Sequence, residues 1–172
     1  LEHEDGHSHL LFPVIPNVVA YDPAFAYEMA VIIQDGIKQM YGENGRDLIY
    51  YLTLYNENYV MPAKPAGCEE GVLAGIYRLV PAPEERKHRA QLLGSGSILP
   101  TQVLRAQALL AEHHDVAADV WSVTSYKLLR EDGLAAERWN RLHPGEPPRI
   151  PYVTAALEGA EGPVVASSDW VK

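Results

Sequence analysis

The predicted fold depends on the stretch VVAYDPAFAYEMAVIIQDGIKQMYG at residues 18–42 and on DLIYYLTLY at residues 47–55. Residues 18–21 form a short apolar run, and residues 47–55 are almost all apolar, aromatic or β-branched, a pattern typical of strands covered on both faces. Between them, apolar residues recur at helical spacing from Phe25 to Met40. The order strand, helix, strand predicts a parallel crossover unit and therefore an α/β fold.

The predicted helix of this unit has recognisable ends. Asp22 is a good N-cap because its side chain can accept a hydrogen bond from an otherwise unpaired amide. Pro23 suits the first helical position because that position needs no N–H donor. Gly42 stops the apolar pattern. We therefore expect a helix over residues 22–41 that packs against the sheet.

A proline-rich segment at residues 56–89 separates this unit from a second one. Within it, EEGVLAGIYRL at residues 69–79 is a short helical candidate between prolines. A segment of this composition between two regular units is typical of the connection between domains. We predict an interdomain connector here.

The second unit repeats the order of the first. AQLLGSGSIL predicts a strand and a turn at residues 90–99, a helix follows over residues 101–114, and ADVWSV predicts a strand at residues 118–123. The pattern continues with a short helix at residues 135–142 and a strand at residues 164–166. A doubly wound sheet normally places another helix over such a strand, so we expect this fold to be incomplete at its C-terminal end.

Composition narrows the classes of function. The chain has 172 residues, of which 47% are hydrophobic and 22% are charged, and these values are typical of a globular protein. Its formal net charge of -9 and its scattered basic residues argue against nucleic acid as a partner. No apolar run approaches the ~18 residues that a membrane span needs. Cys68 is the single cysteine and there is no apolar leader, so we expect a cytoplasmic protein without membrane association.

The densest polar site is HEDGHSH at residues 3–9. Its three imidazoles, His3, His7 and His9, lie among acidic side chains and around Gly6, which favours a tight turn. Such a loop can be a solvated polar segment, it can transfer protons or contact a substrate, or it can hold a metal ion. The spacing matches none of the compact zinc patterns, which weakens the metal interpretation and leaves all three open.

Two further motifs have ordinary structural explanations. GSGS at residues 94–97 lies between a predicted strand and a predicted helix, where its amides suit either a phosphate group or the turn itself. It lacks the lysine and the spacing of a P-loop. His113 and His114 end a predicted helix, where a cation is favourable beside the negative end of the helix dipole.

Eight segments, taken in order, carry a resemblance to a known family: HEDGHSHLL, PNVVAYDPAFAYEMA, GIKQMYGE, YYLTLYNENYVMP, EEGVLAGIYRL, LLGSGSIL, DVWSVTSY and ERWNRLHP. They resemble consecutive segments of the homodimeric decarboxylating component of bacterial pyruvate dehydrogenase, a relative of transketolase. HEDGHSH followed by YDPAFAYE is the most specific part. The resemblance implies an α/β chain that holds the end of a thiamine-diphosphate-type middle domain with a parallel sheet at residues 1–60, a connector at residues 61–89, and most of a transketolase-like C-terminal domain at residues 90–172.

The resemblance also implies a cofactor and site residues. Members of this family bind thiamine diphosphate and magnesium between the two subunits of a homodimer, around a GDG motif. The chain contains no GDG, so the resemblance implies that it binds neither group by itself, and no cofactor-binding residue or metal ligand is assigned. The last histidine of the loop, His9, matches the family position that faces the thiazolium ring and the substrate. His7 is the second catalytic candidate, and Asp5 is a candidate for contacting the substrate.

The implied function belongs to a longer parent protein. That protein would decarboxylate pyruvate and reductively acetylate the lipoyl domain of dihydrolipoyl acetyltransferase within a multienzyme complex, and the chain alone would be inactive. Transketolase or another 2-oxo acid decarboxylase is the nearest alternative, because the distinction rests on HEDGHSH and YDPAFAYE. A noncatalytic interaction module and a histidine-loop metalloprotein are alternatives from other classes.

Overall fold

The computed structural model describes residues 6–83 and 86–170 of the chain. Its elements are, in chain order, α1 (Ser8–Leu11), β1 (Val18–Tyr21), α2 (Ala26–Tyr41), β2 (Ile49–Leu52), α3 (Glu69–Ala74), β3 (Tyr77–Val80), β4 (His88–Gly94), α4 (Leu104–His114), β5 (Val116–Ser122), α5 (Tyr126–Leu142), α6 (Tyr152–Ala156) and β6 (Val164–Ser167). A 3-10 turn at Phe12–Val14 follows α1, and a π-helical turn at Leu99–Val103 precedes α4. No helix in this part of the chain is long and apolar enough to cross a membrane.

The first unit is a pair of parallel strands joined by one crossover helix, as predicted. β1 and β2 pair along their whole lengths. α2 packs closely on them at Gly36, where an added Cβ would lie 3.1 Å from the Tyr50 ring. β2 is shorter than the predicted strand at residues 47–55. Its first residue, Ile49, is 55% exposed, so the expectation that this strand is covered on both faces is wrong for the described part of the chain.

The start of α2 differs from the predicted one. The helix begins at Ala26. The Glu28 carboxylate accepts the backbone N–H groups of Ala24 at 2.6 Å and Phe25 at 3.0 Å, and so satisfies amides at the helix start. The prediction that Asp22 is the N-cap is therefore wrong, and its carboxylate bonds to other donors.

The second unit is a four-stranded mixed sheet in the order β3, β5, β4, β6. β4 pairs in parallel with both β5 and β6, as the sequence pattern predicts. The fourth strand, β3, pairs antiparallel with β5, and it lies within residues 61–89, the predicted connector. The expectation of parallel strands throughout is therefore wrong at this edge, whereas the α/β class is confirmed.

The helix predicted over residues 69–79 ends at Ala74. Gly75 adopts a φ of 111°, in the left-handed region, and its N–H donates to the Gly71 carbonyl. A Cβ on Gly75 would lie 2.7 Å from the Ser125 carbonyl oxygen. Because this glycine turns the chain out of α3, the following residues form β3, and the predicted helix is wrong beyond residue 74.

Two other helices begin at different residues from those predicted. α4 begins at Leu104 rather than at residue 101, because the π-helical turn comes first. α5 begins at Tyr126, well before the predicted helix at residues 135–142. The Ser125 hydroxyl caps α5 by accepting the Leu128 N–H at 3.1 Å. That cap was not identified from the sequence.

The two units share their buried interior. Ala24 and Phe25, at the start of α2, lie in one cluster with buried apolar residues of β4 and β5. Ile32 of α2 packs in a second cluster with Val72 of α3 and Tyr77 of β3. The first unit therefore packs directly against the second.

The junction between the units lies at the carboxyl ends of their strands. The Asp22 N–H, directly after β1, donates to the Thr124 carbonyl at 2.7 Å. The Ser125 hydroxyl donates to the Ala20 carbonyl at 2.6 Å, and the Gly96 N–H, after β4, donates to the Asp22 carbonyl at 3.1 Å. The ends of β1, β4 and β5 thus meet, and this is the edge at which open α/β sheets place their binding sites.

Candidate active site

A pocket of about 340 Å³ opens at this junction. Its walls come from α1, from the residue after β1, from the first two turns of α5, and from the end of β6 with the residues that follow it. The polar and aromatic groups that line it include His9, Asp22, Lys127, Arg130, Ser167 and Trp170. Imidazole, carboxylate, hydroxyl and cationic groups therefore meet in one concave site.

Asp22 is the buried carboxylate of this pocket, with 3% of its surface exposed. Its Oδ1 accepts the Thr53 hydroxyl at 2.7 Å and the Tyr55 hydroxyl at 2.9 Å, and its Oδ2 accepts the Trp170 indole N–H at 2.9 Å. Burial, followed by the nearby Asp22 carboxylate, raises the pKa of Tyr55, so the phenol remains a donor. Three donors fix the carboxylate in place.

His9 reaches the pocket from α1. Its Nε2 lies 3.0 Å from the Thr53 hydroxyl oxygen. The His9 ring packs among aromatic rings, with a centroid distance of 4.4 Å to Trp170, 5.8 Å to Tyr51 and 6.2 Å to Phe12. The imidazole is therefore connected to the Asp22 carboxylate through one hydroxyl group.

The other predicted site residues are placed differently. His7 precedes α1, where its carbonyl accepts the Leu10 N–H at 2.9 Å, and its exposed side chain is not part of the pocket lining. Asp5 and His3 lie outside the described residues. Within residues 6–83 and 86–170, no group of three or more histidine, cysteine, aspartate or glutamate side chains could hold a metal ion. The roles of His9, His7 and Asp5 stay predictions.

α5 contributes two cationic side chains to the pocket. Lys127 is buried, and its ammonium group forms an ion pair with the Glu131 carboxylate at 2.5 Å, one helical turn away. Arg130 lies on the same wall, with an exposed side chain. Because Glu131 compensates the charge of Lys127, Arg130 contributes more to the electrostatic potential at the pocket mouth.

The GSGS turn supports the pocket from the side of β4. Gly96 adopts a φ of 50°, and a Cβ there would overlap the Tyr55 hydroxyl. Its N–H is already donated to the Asp22 carbonyl. The Ser97 hydroxyl donates to the Asp169 carboxylate at 3.3 Å. These contacts favour the turn interpretation of the motif over phosphate binding.

The residues that support His9 were not identified from the sequence. Thr53 and Tyr55 lie just after β2, and polar residues at the carboxyl end of a parallel strand are a signal that could have identified them. Asp22 was interpreted as a helix N-cap, so its role as the buried acceptor in the pocket was not predicted. Trp170 had no local signal, because its partner Asp22 is 148 positions away in the chain.

A second buried carboxyl group, Glu28, lies outside the pocket and joins α2 to the second sheet. Its Oε1 accepts the Tyr77 and Ser122 hydroxyls, both at 2.6 Å. With the two amides at the start of α2, four donors surround a residue that has no exposed surface. Burial raises the pKa of Glu28, and these hydrogen bonds oppose the increase. Its position inside the core indicates a structural role.

Known protein families match both units of the chain. The family model described as the pyruvate dehydrogenase E1 component middle domain matches residues 1–62, and the one described as the transketolase-like TK C-terminal domain matches residues 75–172. The chain belongs to the transketolase-like family. The pocket lies where the two matched regions meet. The boundaries of the connector at residues 61–89 stay a prediction.

Curated relatives match the chain from end to end. It is 55% identical over 172 residues to the pyruvate dehydrogenase E1 component of Pseudomonas aeruginosa, 53% identical over 173 residues to that of Mycobacterium tuberculosis, and 52% identical over 172 residues to that of Escherichia coli K12. The alignments cover 100% of this chain and 18% to 19% of the relatives, so the chain spans about a fifth of their length. The predicted resemblance to the decarboxylating component of pyruvate dehydrogenase is confirmed.

Solved structures of transketolase from Pichia stipitis are similar in fold. A mutant of that protein matches with a TM-score of 0.55 and 20% identity over 74% of this chain and 17% of its own. The complex of the same protein with sedoheptulose-7-phosphate also has a TM-score of 0.55, over 73% of this chain and 17% of its own. At this identity the similarity is evidence for the fold alone.

Proposed function

We propose that the chain is part of the decarboxylating component of pyruvate dehydrogenase, and that the parent protein decarboxylates pyruvate and reductively acetylates the lipoyl group of dihydrolipoyl acetyltransferase. The position of His9 supports this proposal, because the histidine that matches the family's substrate-facing residue lies in the wall of a polar pocket, bonded to Thr53. The 55% identity to the Pseudomonas aeruginosa relative extends over the whole chain and thus includes this pocket.

The described residues fit one wall of a site for thiamine diphosphate. When bound, this cofactor supplies the carbanion that attacks the pyruvate ketone and the electron sink for loss of carbon dioxide. His9 would face the thiazolium ring, whereas Asp22 is already bonded to three side-chain donors. No group of metal ligands is found among residues 6–83 and 86–170. We therefore assign the diphosphate and magnesium ligands to other parts of the parent protein, at the interface of a homodimer.

The proposed role of His9 is proton transfer. Negative charge develops on the oxygen of the substrate ketone as it reacts, and a protonated imidazole beside that oxygen stabilises the charge by donating a proton. General acid help of this kind contributes ~100-fold or more to the rate. His7 is the second candidate for proton transfer, and Asp5 is a candidate contact for the substrate.

The surroundings of the enzyme are part of the same proposal. We propose a cytoplasmic homodimer whose protein partner is the lipoyl domain of the acetyltransferase. The formal net charge of -9 disfavours nucleic acid as a further partner. Transketolase activity is the nearest alternative, and it has the support of the fold alone. An assay of the full-length protein with pyruvate and lipoyl domain, beside one with a ketose phosphate donor, distinguishes the two activities.

The substitution His9→Ala in the full-length protein tests the proposed role. We expect kcat for pyruvate-dependent lipoyl acetylation to fall about 100-fold, because the proton donor is lost at the reacting centre. The Kd for thiamine diphosphate, measured by calorimetry, should change less than about 3-fold. His114→Ala, at the exposed end of α4, is the matched control and should leave both values unchanged.

Two results would contradict this assignment. Wild-type turnover by His9→Ala removes His9 from the mechanism. A loss of activity that is fully explained by a lower melting temperature supports a structural role of the histidine instead.

A further inference from the structure

We propose that Asp22 is a positioning residue that fixes the tautomer and the orientation of His9 through the Thr53 hydroxyl. The proposal rests on the proposed function, because it concerns how His9 is prepared for proton transfer. Asp22, Thr53 and His9 lie 13 to 44 positions apart in the chain and meet only in the folded protein.

The Thr53 hydroxyl has one proton, and an acceptor uses it. Asp22 Oδ1 lies 2.7 Å from the Thr53 hydroxyl oxygen, and the Tyr21 carbonyl oxygen lies 3.3 Å from it. A carboxylate and a carbonyl both accept hydrogen bonds and donate none. Whichever of the two receives the proton, the hydroxyl has no proton left for a third group.

The remaining contact of Thr53 therefore determines whether Nε2 of His9 carries a hydrogen. His9 Nε2 lies 3.0 Å from the Thr53 oxygen, and this oxygen can only accept there. Nε2 must consequently carry a hydrogen and donate it. In the neutral ring the basic lone pair is then on Nδ1, so the interior of the protein selects one of the two tautomers.

The Asp22 carboxylate is held firmly enough to impose this choice. It is buried, and the Tyr55 and Trp170 donors occupy it together with Thr53. Its own backbone is bonded on both sides, through the N–H to the Thr124 carbonyl and through the carbonyl to the Gly96 N–H. A rotation of the carboxylate would break several hydrogen bonds in a buried site, where unpaired polar groups are costly.

Trp170 gives Asp22 a second route to the same imidazole. The indole N–H of Trp170 donates to Asp22 Oδ2 at 2.9 Å, and its ring lies 4.4 Å from the His9 ring, centroid to centroid. One carboxylate oxygen thus holds the hydroxyl that bonds to His9, and the other holds the aromatic ring that packs on it. Both the direction and the plane of the imidazole depend on Asp22.

The substitutions Thr53→Val and Thr53→Ser in the full-length protein, assayed with saturating thiamine diphosphate and magnesium, test this proposal. Thr53→Val keeps the shape of the side chain and removes the hydroxyl, so we expect kcat to fall about 10-fold to 100-fold with KM for pyruvate within about 3-fold of wild type. Thr53→Ser retains the hydroxyl and should return kcat to within about 3-fold of wild type. Thr154→Val, on the exposed face of α6, is the matched control.

The same substitution in a variant without His9 distinguishes positioning from general destabilisation. If Thr53 acts through His9, then adding Thr53→Val to His9→Ala causes no further loss of kcat. Asp22→Asn should behave like Thr53→Val, because an amide nitrogen in place of either oxygen would face a donor. If Asp22→Asn does not fold, the two Thr53 variants still decide the outcome.

Three results overturn the proposal while leaving the proposed function intact. The first is a wild-type kcat in Thr53→Val, and the second is an equal loss of kcat in Thr53→Ser and Thr53→Val. The third is an undiminished further loss of kcat when Thr53→Val is added to His9→Ala. Wild-type turnover by His9→Ala alone would instead overturn the proposed role of His9. The two failures are therefore distinguishable in one set of variants.

Discussion

Glu28 is surrounded by hydrogen-bond donors of two kinds. The amides of Ala24 and Phe25 can only donate, whereas the hydroxyls of Tyr77 and Ser122 can also accept after rotation. The site therefore accommodates a neutral side chain as well as a carboxylate. Because burial is the largest influence on the pKa of Glu28 and raises it, ionisation of this group weakens the folded state.

The substitution Glu28→Gln tests this pKa direction. Its amide oxygen can accept the two backbone N–H groups, and its NH2 can donate to the two hydroxyls. In the wild type, a raised folded-state pKa contributes stability that is fully present below the ordinary value of 4.5 and is lost as the pH rises through the folded pKa. We therefore expect the free energy of unfolding of the Gln variant, minus that of the wild type, to increase between pH 4 and pH 8 in urea denaturation.

Glu28→Ala provides the contrast for that measurement. It removes the acceptor that four buried donors share, and only the Tyr77 hydroxyl among them can turn to the Tyr27 hydroxyl at 2.6 Å, so the free energy of unfolding should fall by about 3 kcal/mol at neutral pH. A difference between the Gln variant and the wild type that stays constant with pH would show that the pKa of Glu28 is not raised.

Gly75 determines the boundary between two elements. It ends α3 in a left-handed conformation and directs the chain into β3, close to the Ser125 carbonyl. Gly133, in the middle of α5, has no heavy atom within 4 Å of the position where a Cβ would be placed. A side chain at Gly75 would thus be strained and crowded, whereas a side chain at Gly133 would be in open space.

The substitutions Gly75→Ala and Gly133→Ala should therefore change stability in opposite directions. Gly75→Ala combines backbone strain with a close contact, so we expect it to lower the free energy of unfolding by about 2 kcal/mol or more. Gly133→Ala lowers the entropy of the unfolded chain within a helix and should raise the free energy of unfolding by up to about 1 kcal/mol. Thermal melts of the two variants check the signs, and a stabilising Gly75→Ala would contradict the capping role.

The helices and strands that were predicted correctly are those whose own residues show a clear hydrophobic pattern. α2 has an apolar stripe at helical spacing, and β4 and β5 are mostly buried strands rich in apolar residues. β3 has four residues, and its pairing of Tyr77 with Ser122 depends on a strand distant in the sequence. The sequence pattern across α3 and β3 looks helical throughout, so the strand could not be predicted from neighbouring residues.

The candidate site could be predicted from the sequence only where its residues belong to a contiguous motif. His9 was identified through a resemblance in a contiguous motif. Its support depends on Asp22, whose donors Thr53, Tyr55 and Trp170 are 31, 33 and 148 positions away. Contacts between residues so far apart in the chain cannot be predicted from a local sequence pattern. At Asp22 the local pattern indicated a helix N-cap instead.

At the scale of the whole molecule, the chain provides one wall of the proposed active site. It contains no GDG motif, and residues 6–83 and 86–170 contain no group of metal ligands. An imidazole can transfer protons, but it cannot replace the electron sink that the cofactor supplies. On the proposed function, we expect the remaining catalytic groups in other parts of the parent protein.

Calorimetric titration of the 172-residue chain with thiamine diphosphate and magnesium tests this conclusion. We expect no binding at micromolar concentrations, because a diphosphate needs a metal ion or convergent donors. Release of carbon dioxide from pyruvate, assayed alongside, should not exceed the background. The full-length protein is the positive control, and micromolar binding by the chain would show that the cofactor site has been misplaced.

The hydrogen bond between Trp170 and Asp22 also determines when the pocket can be completed during protein synthesis. A ribosome adds the 148 residues that follow Asp22, up to and including Trp170, in on the order of ten seconds, and during that time the nascent chain lacks the last donor of the carboxylate. β1, α2 and β2 can form and pack earlier in synthesis. The pocket wall that contains His9 and Trp170 is completed only after Trp170 emerges from the exit tunnel, so a chain released too early would carry His9 without the ring that packs on it.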